Sequence, residues 1–370
     1  MGNVCSKFDY GIGAEAIDFD GKNRYIRITD IDEENSHYIR KSEVSPSFTD
    51  ENCIVKENDI LFARTGASTG KTYLYNEQDG KLYFAGFLIR ANVKNEFSAY
   101  FIYQQTKIDR YKKWIKIMSA RSGQPGINAK EYQEYKVYYP NRQIQDKVAS
   151  FFTLLDHRID TQSKIIEDLE LFKKGIWNYI YLTKSNDWKC VKLSDILCER
   201  KDFALKGDEF IHATLSKDGI FAKTDRYDRD FLVTNDEKEY KITRLNDICY
   251  NPANLKFGVI CLNKFGDAIF SPIYVTYIVK NDFIPSFVEL ILTSSRFLKY
   301  IRKYEQGTVY ERMAVNSEDF LKGEILIPTK DKQKAIADYF DMLDLKIKKE
   351  KDILELYKKQ KAYLLKNMFI

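Results

Sequence analysis

The chain repeats itself. Sliding the 370-residue sequence against itself by 188 positions aligns Asn58-Asp59-Ile60 with Asn246-Asp247-Ile248, Asn128 with Asn316, Tyr132 with Phe320, Val137 with Ile325 and Pro140 with Pro328. Beyond the prolines, Gln145, Ala149, Phe152, Leu155, Asp156 and Ile159 recur as Gln333, Ala337, Phe340, Leu343, Asp344 and Ile347. One offset held over so long a stretch constrains the fold more than any local motif, because whatever one copy builds the other must build too.

Each copy has two parts. The first mixes strand-like and helix-like segments. ILFAR, KTYLY, LYFAGFLIR and YKVYYP carry the β-branched and aromatic content of strands, and 97–118 has helical periodicity. The second copy answers with DICYN, GVICLN, IYVTYIV, GEILIP and a helical 285–304. Each first part therefore reads as a compact α+β domain.

The second part is a long helix. From Pro140, the residues Val148, Phe152, Leu155, Ile159, Gln162, Ile166, Leu169, Lys173, Ile176 and Ile180 alternate spacings of three and four. Ile336, Phe340, Leu343, Ile347, Glu350, Leu354, Tyr357, Lys361, Leu364 and Met368 keep the same register in the second copy. This is a heptad seam, and even its polar interruptions coincide. Such a helix would be about 60 Å long. One copy alone cannot bury its seam, whereas two can bury theirs against each other. With a globular domain between them in sequence, an antiparallel pair is the economical arrangement. The expected fold is two similar α+β domains (1–141 and 184–329) separated by two long helices (142–183 and 330–370) packed as an antiparallel coiled coil, with a pseudo-two-fold relation between the copies.

Composition narrows the function. Hydrophobic residues make up 44% and charged residues 31%, as in a globular protein in water. No apolar run is long enough for a membrane span, and MGNVCSKFDYG lacks the pattern of a secretory leader. The six cysteines show no C-x-x-C spacing and read as reduced thiols, so a cytoplasmic protein is expected. His37, His157 and His212 are scattered, and no metal site is expected. A net charge of +5 is a mild basic bias, compatible with a nucleic-acid partner but not diagnostic of one.

Two stretches imitate catalytic motifs. NDILFARTGASTGKT (58–72) ends like a Walker A loop, but the first glycine of G-x-x-x-x-G-K-[ST] would fall at Thr65. The second copy keeps the strand and not the loop: Gly66, Gly70 and Lys71 face Asn254, Gly258 and Val259. Asn251-Pro252-Ala253-Asn254 resembles the [DN]-P-P-[YFW] of adenine methyltransferases, yet it lacks the second proline and the stacking aromatic. A tight turn between two strands remains, either a solvated hairpin tip or one whose basic residues reach a phosphate or base edge.

Taken together, NDILFARTGASTGK (58–71), NDICYNPANLKFG (246–258), INAKEY (127–132), VNSEDF (315–320) and the P-x-x-x-x-Q openings at 140–145 and 328–333 resemble type I restriction–modification specificity (S) subunits. The resemblance covers essentially the whole chain. It implies two target-recognition domains, each reading one half of a split, asymmetric sequence in double-stranded DNA. It also implies a helix pair that sets the gap and docks two methyltransferase subunits and restriction subunits. The chain would then be a non-catalytic recognition subunit without a cofactor of its own. S-adenosylmethionine and ATP with Mg²⁺ would belong to its partners, and no membrane would be involved.

On this reading the DNA-contacting candidates are Arg64, Ser68, Thr69, Lys71, Arg121, Ser122 and Gln124 in the first domain, and Asn254, Lys256, Thr308, Tyr310 and Arg312 in the second. The second copy opens with Trp188-Lys189-Cys190-Val191-Lys192-Leu193, of which Met1-Gly2-Asn3-Val4 matches only the end, so the first domain is expected to lack an opening strand. Two rivals stay open: a stand-alone DNA-binding repressor or decoy with the same fold, and a P-loop nucleotide-binding enzyme.

Overall fold

The computed structural model describes residues 1–33, 35–120, 124–205, 209–223, 239–307 and 313–369. The chain divides into two compact units, Met1–Ile165 with Glu350–Ile370, and Ile166–Lys349. Arg121, Ser122, Thr308, Tyr310 and Arg312 lie outside the described residues.

The first unit contains β1 (Cys5–Tyr10), β2 (Ala16–Asp18), β3 (Arg24–Ile26), β4 (Val44–Pro46), β5 (Asp59–Ala63), β6 (Thr72–Leu74), β7 (Leu82–Phe84) and β8 (Leu88–Val93). These are followed by α1 (Ala99–Gln104), α2 (Asp109–Met118), α3 (Ala129–Glu134) and the start of α4 (Arg142–Leu182). Beyond α4 come β9 (Lys189–Lys192), α5 (Leu193–Ile196), β10 (Leu197–Glu199), β11 (Phe203–Leu205), β12 (Ile211–Ser216), β13 (Gly219–Ala222), β14 (Glu239–Thr243), β15 (Ile248–Tyr250), β16 (Ile260–Leu262), β17 (Ala268–Phe270) and β18 (Val275–Val279). The chain ends with α6 (Pro285–Leu292), α7 (Ser295–Ile301), α8 (Ser317–Leu321), β19 (Glu324–Ile327) and α9 (Lys330–Met368). No helix among the described residues is long and apolar enough to cross a membrane, and all six cysteines are free thiols.

The repeat is visible as one sheet built twice. Strand order β1-β8-β5-β6 in the first unit is β10-β18-β15-β16 in the second, and Ile60 opposite Leu74 matches Ile248 opposite Leu262. The Asn-Asp pair is the turn that starts the central strand. Asn58 and Asn246 sit at φ of 65° and 68°, a left-handed conformation that asparagine accepts more readily than most residues. Next to them, Asp59 accepts the Lys56 amide at 2.8 Å and Asp247 the Arg244 amide at 2.7 Å. Burial pushes the Asp59 carboxyl upward, against the pull of Asn92 and Arg90. In the second unit Arg200 grips Asp247 through two bonds of 2.7 and 2.9 Å, which raise the guanidinium pKa.

Other repeated residues are joints. Asn128 and Asn316 cap α3 and α8 by accepting the amides of Glu131 and Asp319 at 3.0 and 2.8 Å. The glutamine of each P-x-x-x-x-Q ties its helix to its domain. Gln145 accepts from the Ser98 amide and donates to Pro140 O, and Gln333 does the same with Ile284 and Pro328, all at 2.9 to 3.1 Å.

Four strand and helix expectations need correction, the first being the helix expected over 285–304, which breaks at Thr293–Ser294 between α6 and α7. LYFAGFLIR is two strands, because Ala85–Phe87 turns between β7 and β8. The helix expected over 97–118 breaks at Gln105–Ile108, where the chain turns Lys107 inward so that its ammonium reaches Ser36 Oγ and Thr72 Oγ1, both at 2.8 Å. YKVYYP forms no strand, although its counterpart GEILIP forms β19. The reason is a missing neighbour. β19 pairs with β9, and among the described residues the first unit has no equivalent of β9. Met1 stands where α5 begins: its amine donates to Tyr135 O, as the Leu193 amide donates to Gly323 O at 2.7 Å.

The expected seam is present. Its positions are buried or half-buried, except Met368 at the end of α9. In the first unit Lys361 pairs with Asp156 at 2.5 Å and Gln162 donates to Glu350 Oε2 at 2.6 Å, so the helices are antiparallel. Within the second unit Lys173 pairs with Asp344, and the ring of Trp177 lies 5.8 Å from that of Phe340. Each helix pair is continuous with its domain core, through Ala149, Phe152, Leu155 and Leu365 in one unit and Trp177, Ala337 and Phe340 in the other.

Candidate nucleic-acid interface

The central strand of each unit ends in a tip whose exposed residues are Ala67 in the first unit and Lys256 and Phe257 in the second. In the first unit the tip runs from Arg64 to Lys71, between β5 and β6. It is fastened to the segment before α3: Gly66 N donates to Pro125 O and Ile127 N to Arg64 O, each at 2.9 Å. The second unit repeats that joint with Val315 N on Pro252 O at 3.3 Å. One scaffold therefore presents two tips.

The first tip is not a phosphate cradle. Four of its amides are spent within the protein: Gly66 on Pro125, Thr69 on Gly66, Gly70 on Ala63 and Lys71 on Ser68, at 2.9 to 3.1 Å. Lys71 turns inward, with Nζ 2.8 Å from Ile31 O and 3.6 Å from Glu33. Thr72, where a P-loop would hold its magnesium-binding hydroxyl, is buried against Thr106 and Lys107. Gly70 is required for another reason. At φ +90°, a Cβ there would lie 2.7 Å from the Ile115 side chain.

Among the first-domain candidates, Thr69 Oγ1 bonds to Gly66 O at 2.7 Å, Ser68 is half-buried and Gln124 is exposed. The Gln124 amide nitrogen lies 3.4 Å from the position a Cβ would take at Gly66, so the structure brings Gln124 and the tip together. Arg64 is half-buried. Its Nε donates to Gly86 O at 3.0 Å, and its guanidinium lies 5.0 Å from the centre of the Tyr10 ring. Tyr10 and Phe87 are exposed beside it, at 46% and 59%. Sequence reasoning missed both, because strand order β1-β8-β5, not proximity in sequence, brings them to Arg64.

The second tip is a short 3-10 helix, Pro252–Phe257, closed by Gly258 at φ +81°. Asn251 caps it by accepting the Ala253 amide at 3.1 Å, which explains the methyltransferase-like tetrapeptide as a structural turn. Buried Leu255 anchors the helix. Asn254 is half-buried, with its carbonyl accepting from Gly258 and Val259. Lys256 is exposed, its ammonium 5.2 Å from the centre of the Phe257 ring, which is itself 69% exposed.

Residues 11–171 match the family model described as the type I restriction modification DNA specificity domain. The chain is also similar, at 25% identity over 365 residues, to the type I restriction enzyme MjaVIII specificity subunit of Methanocaldococcus jannaschii; the match covers 90% of this chain and 84% of that one.

Its first part thus matches a type I DNA specificity domain, and nearly its whole length resembles a type I specificity subunit.

Solved structures with the same fold include the S subunit of a type I restriction–modification system from M. genitalium, with 14% identity, a TM-score of 0.64 and coverage of 100% of this chain and 94% of that one. A chain solved in work on complex assembly and conformational transition of the type I restriction–modification system aligns with 13% identity, a TM-score of 0.54 and coverage of 98% and 95%. In this chain the repeated residues build the scaffold, and the two tips are made of unlike residues.

Proposed function

We propose that this specificity subunit reads a bipartite, asymmetric DNA target, one half with each α+β domain, and that its helices dock two methyltransferase subunits and, through the complex, restriction subunits. The observation that carries the reading is the pair of equivalent tips made of different residues: Arg64 to Lys71 on one and Asn251 to Gly258 on the other. A shared scaffold places each tip at the same end of its sheet, and unlike side chains there fit unlike half-sites.

A second apolar stripe on the helices supports docking. Ile144, Phe151, Ile165, Phe172 and Tyr179 lie at multiples of seven along α4, interrupted by Arg158, and are all exposed, outside the buried seam. On α9, Met342, Leu356 and Tyr363 are between 64% and 68% exposed. An apolar surface of this kind fits a protein partner and disfavours the stand-alone repressor or decoy. In this reading the chain supplies an address in the cytoplasm, and its partners hold S-adenosylmethionine and ATP with Mg²⁺.

The test is genome-wide mapping of N6-methyladenine in cells that co-express this chain with its methyltransferase subunit, against that subunit alone. A new two-part motif with a fixed gap is expected. Co-purification of the subunits without any motif would refute the DNA-reading role, and absence of both would refute the docking role as well.

A further inference from the structure

We propose that Arg64 reads a guanine in the half-site of the first domain, with Tyr10 as its positioning residue; this rests on the DNA-reading function proposed above. Four of the other described arginines of this domain are paired with carboxylates; the fifth, Arg110, is not, but its Nε is buried, with no hydrogen-bond partner among the described residues. Arg24 reaches Glu43, Arg27 reaches Asp30, Arg40 reaches Asp79 and Arg90 reaches Asp9, at 2.6 to 3.0 Å, while Arg110 contacts Gln105 at 3.4 Å. Arg64 reaches no carboxylate among the described residues. It is held at two other points, Nε on Gly86 O and the cation over the Tyr10 ring.

Those two restraints fix the guanidinium plane and leave Nη1 and Nη2 without a partner among the described residues. Two parallel N–H donors at the end of a fixed fork match the O6 and N7 acceptors on the major-groove edge of guanine. Tyr10 is itself anchored, because its hydroxyl accepts the Ala129 amide at 3.2 Å. The backbone of Arg64 is tied on both sides, N to Phe87 O at 3.1 Å and O to Ile127 N at 2.9 Å. A side chain so restrained loses little freedom on binding. The aligned position in the second copy is Pro252, so the effect belongs to one half-site only.

The experiment maps the methylated motif of the complete methyltransferase complex carrying Arg64→Lys, Arg64→Ala, Tyr10→Leu or Tyr10→Phe. The wild-type motif is expected to contain a G·C pair in the half assigned to the first domain. Arg64→Lys, which keeps the charge but not the planar fork, should relax that one position by roughly 5- to 150-fold in discrimination. Arg64→Ala should relax the same position, Tyr10→Leu should follow it, and Tyr10→Phe should keep the motif.

Several results would overturn the proposal. One is a uniform fall in methylation with an unchanged motif, together with a shallower salt dependence, which marks a phosphate contact. Others are relaxation in both halves, no change at all, or a wild-type target without G·C in either half. If Arg64→Ala fails to assemble, Arg64→Lys decides. A wild-type complex that yields no bipartite motif removes the underlying function and this proposal with it, whereas an unchanged motif in the variants removes this proposal alone.

Discussion

Gln162 and Glu350 hold the same position in the two copies, and they hydrogen-bond to each other: Gln162 Nε2 lies 2.6 Å from Glu350 Oε2 and 3.1 Å from Glu350 O. The shared interruption of both seams is therefore a polar layer that completes itself only when helix meets helix. A polar layer in an otherwise apolar seam favours one register over its neighbours. Gln162→Leu should cost about 1 kcal/mol by leaving the carboxylate without its donor. The double variant with Glu350→Leu should cost less than the sum of the single ones. A denaturant double-mutant cycle measures this; additivity within about 0.5 kcal/mol would sink the coupling.

Asn58 and Asn246 allow a second test of the repeat. Both adopt positive φ directly before a buried aspartate. Asn58→Gly or Asn246→Gly should change stability little, since glycine accepts this conformation freely. The valine replacements should each cost roughly 1–2 kcal/mol. Equal tolerance of glycine and valine at either site would mean that the turn, not the residue, sets the backbone.

Much of this fold is legible in the sequence, and the residues that are legible share a property. Asn128, the Pro140 bond of Gln145 and the seam involve neighbours a few residues away or a partner helix of known period, so spacing exposes them. The bond from Ser98 to Gln145 carries no such signal. YKVYYP has the composition of a strand, but a strand also needs an edge to pair with, and composition does not report the edge. The tip is harder still. Lys71 reads as a free cation in sequence and is spent on the Ile31 carbonyl in the structure. Conversely, Tyr10 carries no local signal, because its role depends on the strand order that brings β1 to β5 through β8.

The unpaired segment can be completed by graft. Val137 is half-buried, and Tyr138 and Tyr139 are 57% and 46% exposed, whereas Ile325 and Ile327 of β19, paired with β9, are 4% and 5% exposed. Placing a copy of residues 188–192 directly before Met1 should supply the strand and cover Val137 and Tyr139. Melting should rise by about 2–4 °C for each kcal/mol gained. A graft with proline at the positions of Cys190 and Lys192 is the control, since proline removes ladder donors. Equal melting of the two grafts would show that no strand forms.

Alkaline pH should weaken both units through buried thiols. Burial pushes Cys5 up to about 12 and Cys249 up to about 12, against about 8.5 in an unfolded chain. Between those values the unfolded chain has lost a proton that the native one keeps, so stability falls as pH rises. Below about pH 8 both states are protonated and the effect vanishes. From pH 8 to pH 10 the loss should approach roughly 2 kcal/mol for each thiol. Cys5→Ala and Cys249→Ala should each flatten the decline, whatever they cost at neutral pH. Parallel stability–pH curves for wild type and variants would rule this out.

The exposed helix stripe separates docking from folding. Leu154, next to that stripe on α4, and Met342 on α9 are aligned in the repeat and are 68% and 65% exposed. Replacing an exposed side chain usually changes stability by less than about 0.5 kcal/mol. Leu154→Glu with Met342→Glu should therefore leave melting unchanged. Buried in a partner interface, the same charges would lack partners and cost several-fold to a hundredfold in affinity, since central apolar contacts often exceed about 1 kcal/mol each. Capture of the methyltransferase subunit by the full-length variant, compared with wild type at matched concentration, gives the readout. Retained capture with unchanged melting would place the docking surface elsewhere on the chain. Loss of melting would instead mean that these residues belong to the folded core, against their exposure.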